Sequence, residues 1–257
     1  MKEFLYWMLD LLTFRKGMYR TLNGFGIRFP TRYHRYYHEG YERESFEYIR
    51  KVVRDGDVVL DIGGHIGLYA AALGRLVQPN GHVYSFEPTP NTNRVLRETV
   101  KLNGLGHIVT VKNKAVSKNS GNAVFYVSDH PMDNSNSLVN FTKPRKVHPV
   151  DVSLVSIDDF SVEIGKKINF IKIDVEGAEL DALMGAKQTL LRDRPKGILA
   201  LHPVPVQTKG DSLEQIWDAV TECGYNLLFK GVKIDKASFC RQQDLFDVWL
   251  EPLAQQS

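Results

Sequence analysis

Four polar residues are spaced along this chain as a site at one edge of a sheet would need them. Asp61 ends the apolar run Val58-Val59-Leu60 and opens the turn Ile62-Gly63-Gly64-His65-Ile66-Gly67. Glu87 ends a second run, Gly81-His82-Val83-Tyr84-Ser85-Phe86, 20 residues after Gly67. Asp174 ends a third, Ile168 to Ile173, and is followed by Glu176 and Glu179 around Gly177. His202 ends a fourth, Leu199-Ala200-Leu201, before Pro203. Parallel strands that each finish on a polar residue bring those residues together beyond their carboxyl ends, at the topological switch point. Carboxylates there can hold hydroxyls, bind a cation or accept a proton. An imidazole could act as a base without a large shift of its pKa.

The turn at Asp61 invites comparison with the dinucleotide fingerprint, and the spacing rejects it. Read from Gly63, the pattern needs glycine where His65 and Leu68 stand; read from Gly64, it needs glycine where Ile66 and Tyr69 stand. A pyrophosphate at this helix start would also face the Asp61 carboxylate and lose part of what the helix dipole offers. S-adenosylmethionine carries no phosphate, and its ammonium and sulfonium are cationic. An acid beside a glycine turn with open backbone N–H groups suits it, and Glu87 then stands where an acid accepts ribose hydroxyls. The competing account is that both acids only cap the helices that follow them; the glycines between the two favour the site.

Methyl transfer from a sulfonium to an oxygen is an in-line displacement that needs alignment and a proton acceptor. Asp174 and Glu176 are candidates for that acceptor or for the ligands of a divalent metal, and the sequence leaves the metal open. Glu179 reads as a solvated acid favouring the dipole of a helix's first turn. His202 reads equally as a base or as a structural hydrogen-bonding group.

The elements that must position these residues alternate. Strands are expected near 57–61, 82–86, 108–113, 168–173, 196–201, 225–229 and 244–249, and helices near 66–77, 91–103, 178–191 and 212–223. The strands are near-continuous apolar runs, which indicates a parallel sheet covered on both faces. Between Val116 and Ile168 stand two further extended runs, Asn122 to Val127 and Val150 to Val155, flanking a polar loop from Ser128 to Asn136, and Asp158-Asp159-Phe160 opens a short helix. They read as a strand pair and loop inserted over the sheet edge, where a substrate loop could reach the cofactor. Residues 1–56 form an extension packing on the core: an apolar helix, a strand at Gly26 to Phe29, an aromatic and basic segment from Arg32 to Tyr41, and a helix from Glu44 to Arg54. Residues 57–257 form the catalytic domain.

A chain of 257 residues with 43% hydrophobic and 25% charged residues has globular composition, which excludes disorder. A net charge of +3 is too small to call for a nucleic-acid partner. Cys223 and Cys240 have no metal spacing and make no disulfide framework, so reduced thiols in the cytoplasm are expected. The apolar start, Phe4 to Phe14, is interrupted by Asp10 and falls short of a membrane span. It is expected to pack across the domain, with peripheral membrane contact through residues 1–20 and Arg15, Lys16 and Arg20 as the other use of it.

These residues carry a resemblance. Asp61 to Gly67, Phe86-Glu87-Pro88 with Asn103 at the next helix end, Asn113 to Val116, and Lys172 to Glu179 resemble the FkbM family of S-adenosylmethionine-dependent methyltransferases over about residues 45–203. The resemblance implies a class I methyltransferase fold of the Rossmann-like α/β kind, with a seven-stranded sheet in the order 3-2-1-4-5-7-6 and the seventh strand antiparallel. It implies O-methylation of a hydroxyl, often on a sugar or polyketide-like product. Carried over by residue, Asp61, Gly63 and Gly67 hold the methionine end and Glu87 the ribose, and Asn113, Lys114 and Ala115 border the adenine; Gly64, His65, Pro88 and Asp174 are expected among the cofactor-binding residues with them. The chain departs from the family at Gly64-His65, where alanine-asparagine is common, and at Ala200, where an acid is often found.

Two other classes compete. An RNA or protein methyltransferase would use Arg32, Tyr33, Arg35, Tyr36 and Tyr37 with Lys143-Pro144-Arg145-Lys146 as a contact surface. A non-catalytic binding protein would be expected to have lost one of Asp61, Glu87 and Asp174.

Overall fold

The computed structural model describes residues 2–128 and 147–254. Lys143 to Lys146 and the loop expected after Ser128 lie outside the described residues. At the amino end, α1 (Lys2–Leu12) forms from the apolar run. Asp10, the charge that interrupts that run, bonds Thr31 in the 3-10 turn Thr31–Tyr33 and fastens the helix there. Phe4, Trp7, Leu11 and Leu12 remain exposed. No helix among the described residues is long and apolar enough to cross a membrane.

Next, β1 (Met18–Leu22) and β2 (Phe25–Phe29) pair antiparallel, with Leu22 opposite Phe25. The Asn23-Gly24 turn between them has positive φ at both residues, the conformation that two-residue hairpins favour. Helix α2 (Arg43–Val52) buries Phe46, Tyr48 and Ile49, and Tyr48 stacks on Trp249 at 4.3 Å.

The core then alternates. β3 (Val58–Ile62), α3 (Leu68–Val77), β4 (His82–Phe86), α4 (Pro90–Leu102) and β5 (Val109–Lys112) come first. The insertion follows as β6 (Ala115–Val116), β7 (Gly121–Ser128), β8 (Val147–Val155) and α5 (Ile157–Ile164). After it come β9 (Phe170–Ile173), α6 (Glu179–Met184), α7 (Lys187–Asp193), β10 (Lys196–Leu201), α8 (Pro203–Lys209) and α9 (Leu213–Glu222). The chain closes with β11 (Tyr225–Phe229), β12 (Val232–Lys233), α10 (Lys236–Cys240) and β13 (Phe246–Pro252).

The main sheet runs β12-β11-β13-β10-β9-β3-β4-β5, and β13 is antiparallel to both of its neighbours. Setting β12 aside, this is the expected order. Among the described residues the sheet has eight strands where seven were expected, the added one being β12, a two-residue return of the chain at the sheet edge. The insertion is also corrected: its described residues form three strands, not a pair, because β6 runs parallel to β8 on the side away from β7.

All of β3 is buried, because successive residues feed different cores. Leu60 and Ile62 join Ile171, Leu183 and Ile216 on one face; Val59 joins Ala70, Leu73 and Ile198 on the other. That second core also contains Leu22, Ile27, Phe29 and Phe46, so the amino-terminal elements share the interior of the sheet. The helix expected over 178–191 divides into α6 and α7 at Gly185-Ala186, where the glycine lies against the Ser117 carbonyl and leaves no room for a side chain.

Candidate active site

The glycine turn is built by close approach. Gly63 has φ +85°, and a Cβ there would collide with the carbonyl oxygen of Asp174 on the neighbouring strand end. The N–H groups of Gly63 and Gly64 both donate to the Phe86 carbonyl, at 3.0 and 2.9 Å, and that of His65 donates to Glu87 Oε2 at 3.0 Å. The expectation of open N–H groups is therefore corrected: the turn satisfies these donors internally. Gly67, at φ +94°, precedes α3 and packs against Leu96 and Thr99 of α4, away from the cleft.

Asp61 is fully buried. Ser85 Oγ donates to its Oδ2 at 2.7 Å, while Oδ1 has no hydrogen-bond partner among the described residues. Burial pushes its pKa up, opposed by the Lys172 ammonium. Glu87 lines the cleft and accepts from the N–H groups of His65 and Thr89. Burial, only partly offset by those bonds, raises its pKa to about 7. Asn113 Nδ2 donates to the carbonyls of Glu87 and Pro88 at 2.9 and 2.8 Å, so it holds that turn in place. Pro88, Lys114 and Ala115 line the cleft.

His65, the departure from the family pattern, sits at φ +46° with its Nδ1 3.1 Å from the Tyr37 hydroxyl and its ring 4.9 Å from that of Tyr36. Burial lowers its pKa to about 4, so the imidazole is neutral.

The second half of the site stands on β9 and β10, which are adjacent and parallel. Asp174 follows β9 and, as expected, lies beside the β3 turn: its N–H donates to the Ile62 carbonyl at 3.0 Å. Lys172 Nζ holds Asp174 Oδ2 at 2.8 Å and lies 4.5 Å from the centre of the Tyr69 ring. Burial would raise the Asp174 pKa, but Lys172 and His202 outweigh it and hold the carboxyl below its ordinary value. Lys172 is shifted upward: burial pulls it down, and Asp174, Glu42 and Asp61 more than compensate.

His202 Nδ1 lies 2.7 Å from Glu179 Oε1, and its Nε2 faces Glu176 Oε2 at 3.4 Å and Asp174 Oδ1 at 3.7 Å. Burial lowers its pKa, but Glu179, Glu176 and Asp174 outweigh burial and raise it to about 9. An imidazole that titrates without a large shift is thus corrected to one held protonated at neutral pH. Glu179 is corrected as well: it is fully buried, its Oε1 also accepts the Gly177 N–H, and it is no solvated first-turn acid.

Asp174, Glu176, Glu87, Gly63, Gly64 and His65 line one cleft of about 920 Å³, counted out into its open mouth. Asp61, Gly67, Asn113 and His202 do not line it. The opposite wall comes from the segment before α2. Tyr36, Tyr37, Tyr41 and Glu42 line the cleft with Tyr69, whose hydroxyl donates to Glu42 Oε2 at 2.6 Å. As a surface for nucleic acid, Tyr36 and Tyr37 are corrected: they face inward, and Tyr37 is buried.

Sequence reasoning missed Lys172, Glu42 and Tyr69; the signal available for Lys172 was a charge inside an otherwise apolar strand. It also missed Asp247, which pairs with Ala200 across the β10–β13 ladder and accepts from Ser45 Oγ at 2.6 Å. Burial raises Asp247 to about 6, and it supplies an acid from the next strand at the level where the family often has one on β10.

Comparison with known proteins adds four findings. Residues 61–227 match the family described as "Methyltransferase FkbM domain". The chain is 29% identical over 150 residues to the 2-O-methyltransferase NoeI of Sinorhizobium fredii, covering 53% of this chain and 60% of that one. It is 26% identical over 151 residues to the hexuronic acid methyltransferase AglP of Haloferax volcanii, covering 58% of each. The chain thus spans about three fifths of the length of these curated relatives. Among solved structures, an rRNA-methylase from Clostridium thermocellum aligns with a TM-score of 0.52 at 14% identity, over 83% of this chain and 96% of that one, a likeness of fold alone.

Proposed function

The chain belongs to the FkbM methyltransferase family, and from that premise we propose that it is an S-adenosylmethionine-dependent O-methyltransferase acting on a hydroxyl of a sugar or other small molecule. The observation that carries this reading is the convergence of Glu87, Asp174 and Glu176, from the ends of β4 and β9, on the cleft that the β3 turn borders. The names of two relatives, a 2-O-methyltransferase and a hexuronic acid methyltransferase, support oxygen as the acceptor atom and a sugar as its class.

The residues fit the cofactor chemically. Glu87 presents a carboxylate for the ribose hydroxyls, and Ile62, Phe86, Val116 and Phe125 give the same cleft apolar surface for an adenine. Asp61 and Asp174 set negative charge beside the turn, and Asp61 keeps a buried oxygen without a hydrogen-bond partner among the described residues. S-adenosylmethionine, when bound, supplies a methyl group whose C–S bond breaks as the C–O bond forms, the sulfur keeping the electron pair and losing its charge.

The protein's share is to orient the acceptor and take its proton. Asp174 stays ionised beside Lys172, its anion stabilised and its basicity correspondingly low. His202 lies outside the cleft lining with Nδ1 engaged by Glu179. Glu176 remains as the cleft-facing acceptor of the hydroxyl proton, and its φ of +52° is the kind of backbone strain that accumulates at functional sites. Glu176→Gln should lower turnover by roughly 10²- to 10⁴-fold while cofactor affinity stays within a factor of a few. Labelled-methyl transfer to a panel of sugars, with calorimetric titration of S-adenosylmethionine, checks it. No cofactor binding by the parent chain would overturn the function, and unchanged turnover in the variant would overturn the role of Glu176.

A further inference from the structure

One donor atom each from Asp174, Glu176 and His202 lies within 4.8 Å of the others, from two neighbouring strand ends, and His202 Nε2 faces Asp174 Oδ1 and Glu176 Oε2. We infer that these three atoms form a divalent-cation site of first-row transition-metal type, for which Mn²⁺ is the natural probe. The inference rests on the proposed methyltransferase reading only for its purpose, to hold and polarise the acceptor oxygen; the site itself follows from geometry.

Three features distinguish it from a chance cluster of acids. First, Nε2 stands 3.4 and 3.7 Å from the two carboxylate oxygens, beyond a good N–H···O bond. Donor atoms about 2.1 Å from a common centre lie roughly 3.0–3.4 Å apart, so Nε2 is already within a few tenths of an ångström of the spacing a shared cation needs from each acid, and the two acid oxygens, within 4.8 Å of one another, would draw together on it.

Second, two of the three members, His202 and Asp174, are already oriented from behind. Glu179, fully buried, takes His202 Nδ1 at 2.7 Å and turns Nε2 toward the acids, the carboxylate–histidine support common at metal ligands. Glu179 is itself fixed by the Gly177 N–H at 3.0 Å. Lys172 Nζ holds Asp174 Oδ2 at 2.8 Å, which leaves Oδ1 as the oxygen on the histidine side.

Third, the site is open on one side, since Asp174 and Glu176 line the cleft while His202 lies behind them. Three protein ligands with an accessible remainder is the form of a catalytic rather than a structural site. One imidazole with two carboxylates favours Mn²⁺, Fe²⁺ or Zn²⁺ over Ca²⁺.

The test is metal binding by the full chain without cofactor or acceptor. Protein stripped with chelator and exchanged into chelator-free buffer is titrated with MnCl₂, and free Mn²⁺ is read from its six-line paramagnetic resonance signal. One Mn²⁺ per chain is expected. Glu179→Gln, which alters the support of His202 and leaves the three proposed ligands in place, should weaken binding by roughly 10- to 100-fold, and Glu176→Gln and His202→Ala by more. Glu176 is partly exposed, so its variant keeps the test valid if changes at the buried Glu179 or His202 impair folding. Glu163→Gln, on α5 outside the site, should bind as the parent does. Stoichiometry well below one, or parental affinity in Glu176→Gln, would refute the site. Cofactor titration of the same samples is read separately, so absent Mn²⁺ binding with normal S-adenosylmethionine binding overturns the metal site alone.

Discussion

Glu87 is a carboxyl group asked to serve as an acceptor while buried. Two backbone N–H groups bond it and favour the anion, yet burial outweighs them and raises its pKa to about 7. If the proposed ribose contact is made by the carboxylate, binding selects the deprotonated form, and affinity for S-adenosylmethionine should fall as the site is acidified. The sign follows from the upward shift: the free protein is mostly protonated below the raised pKa, so each cofactor bound there must displace a proton. Going from pH 8 to pH 6 should weaken binding by about 10-fold. Glu87→Gln should bind more weakly at pH 8 and lose the slope. Calorimetry across that range decides it, and an unchanged slope in the variant would remove Glu87 from the role. His65 does not confuse this window, because its imidazole is already neutral above about pH 4.

At the scale of elements, the site depends on two adjacent strands whose ends nearly touch. Gly63 after β3 lies against the Asp174 carbonyl after β9 and has a φ that side chains resist, so Gly63→Ala meets both a collision and backbone strain. We expect a loss of about 2–4 kcal/mol in urea unfolding, together with weaker cofactor binding. A variant as stable as the parent would mean that the two strand ends are free to separate.

These strands were legible in the sequence because burial on both faces removes polar alternation, and their final acids stood out against it. Other elements were not, for identifiable reasons. β1 reads Met-Tyr-Arg-Thr-Leu, half exposed, and is a strand only because β2 folds back on it. α8 begins Pro203-Val204-Pro205, which argues against a helix, although its first proline occupies a position where a helix needs no N–H. The site divides in the same way. Asp61, Glu87, Asp174 and Glu176 were visible as strand ends and their neighbours. The Tyr36–Glu42 wall, and Asp247 opposite Ala200, depend on packing between segments distant in sequence. His65 belongs to both groups: its position was marked as a departure from the family, while its partner Tyr37 could be found only in the fold.

For the whole molecule the question is whether residues 1–56 are an appendage or part of the structure that positions the site. The second core mixes Phe29, Phe46 and Ile49 with Val59, Ala70 and Ile198, so the extension and this face of the sheet share one interior. Phe46 is 1% exposed, with its ring 5.7 Å from Phe25 and 4.6 Å from Tyr69, and Tyr69 in turn lies under Lys172 in the cleft. We propose that the extension and the sheet unfold as one cooperative unit. Phe46→Ala should then lower stability by about 3–5 kcal/mol, moving the denaturant midpoint without changing the slope of the transition. Tryptophan fluorescence and far-ultraviolet circular dichroism should report the same midpoint, because Trp249 of β13 stacks on Tyr48 of the extension, whereas the circular dichroism averages over the whole sheet. Two separated transitions, with only the earlier one moved by Phe46→Ala, would show that the extension folds by itself. The Tyr36–Glu42 wall would then be free to leave the cleft while the sheet and its strand-end acids stayed intact.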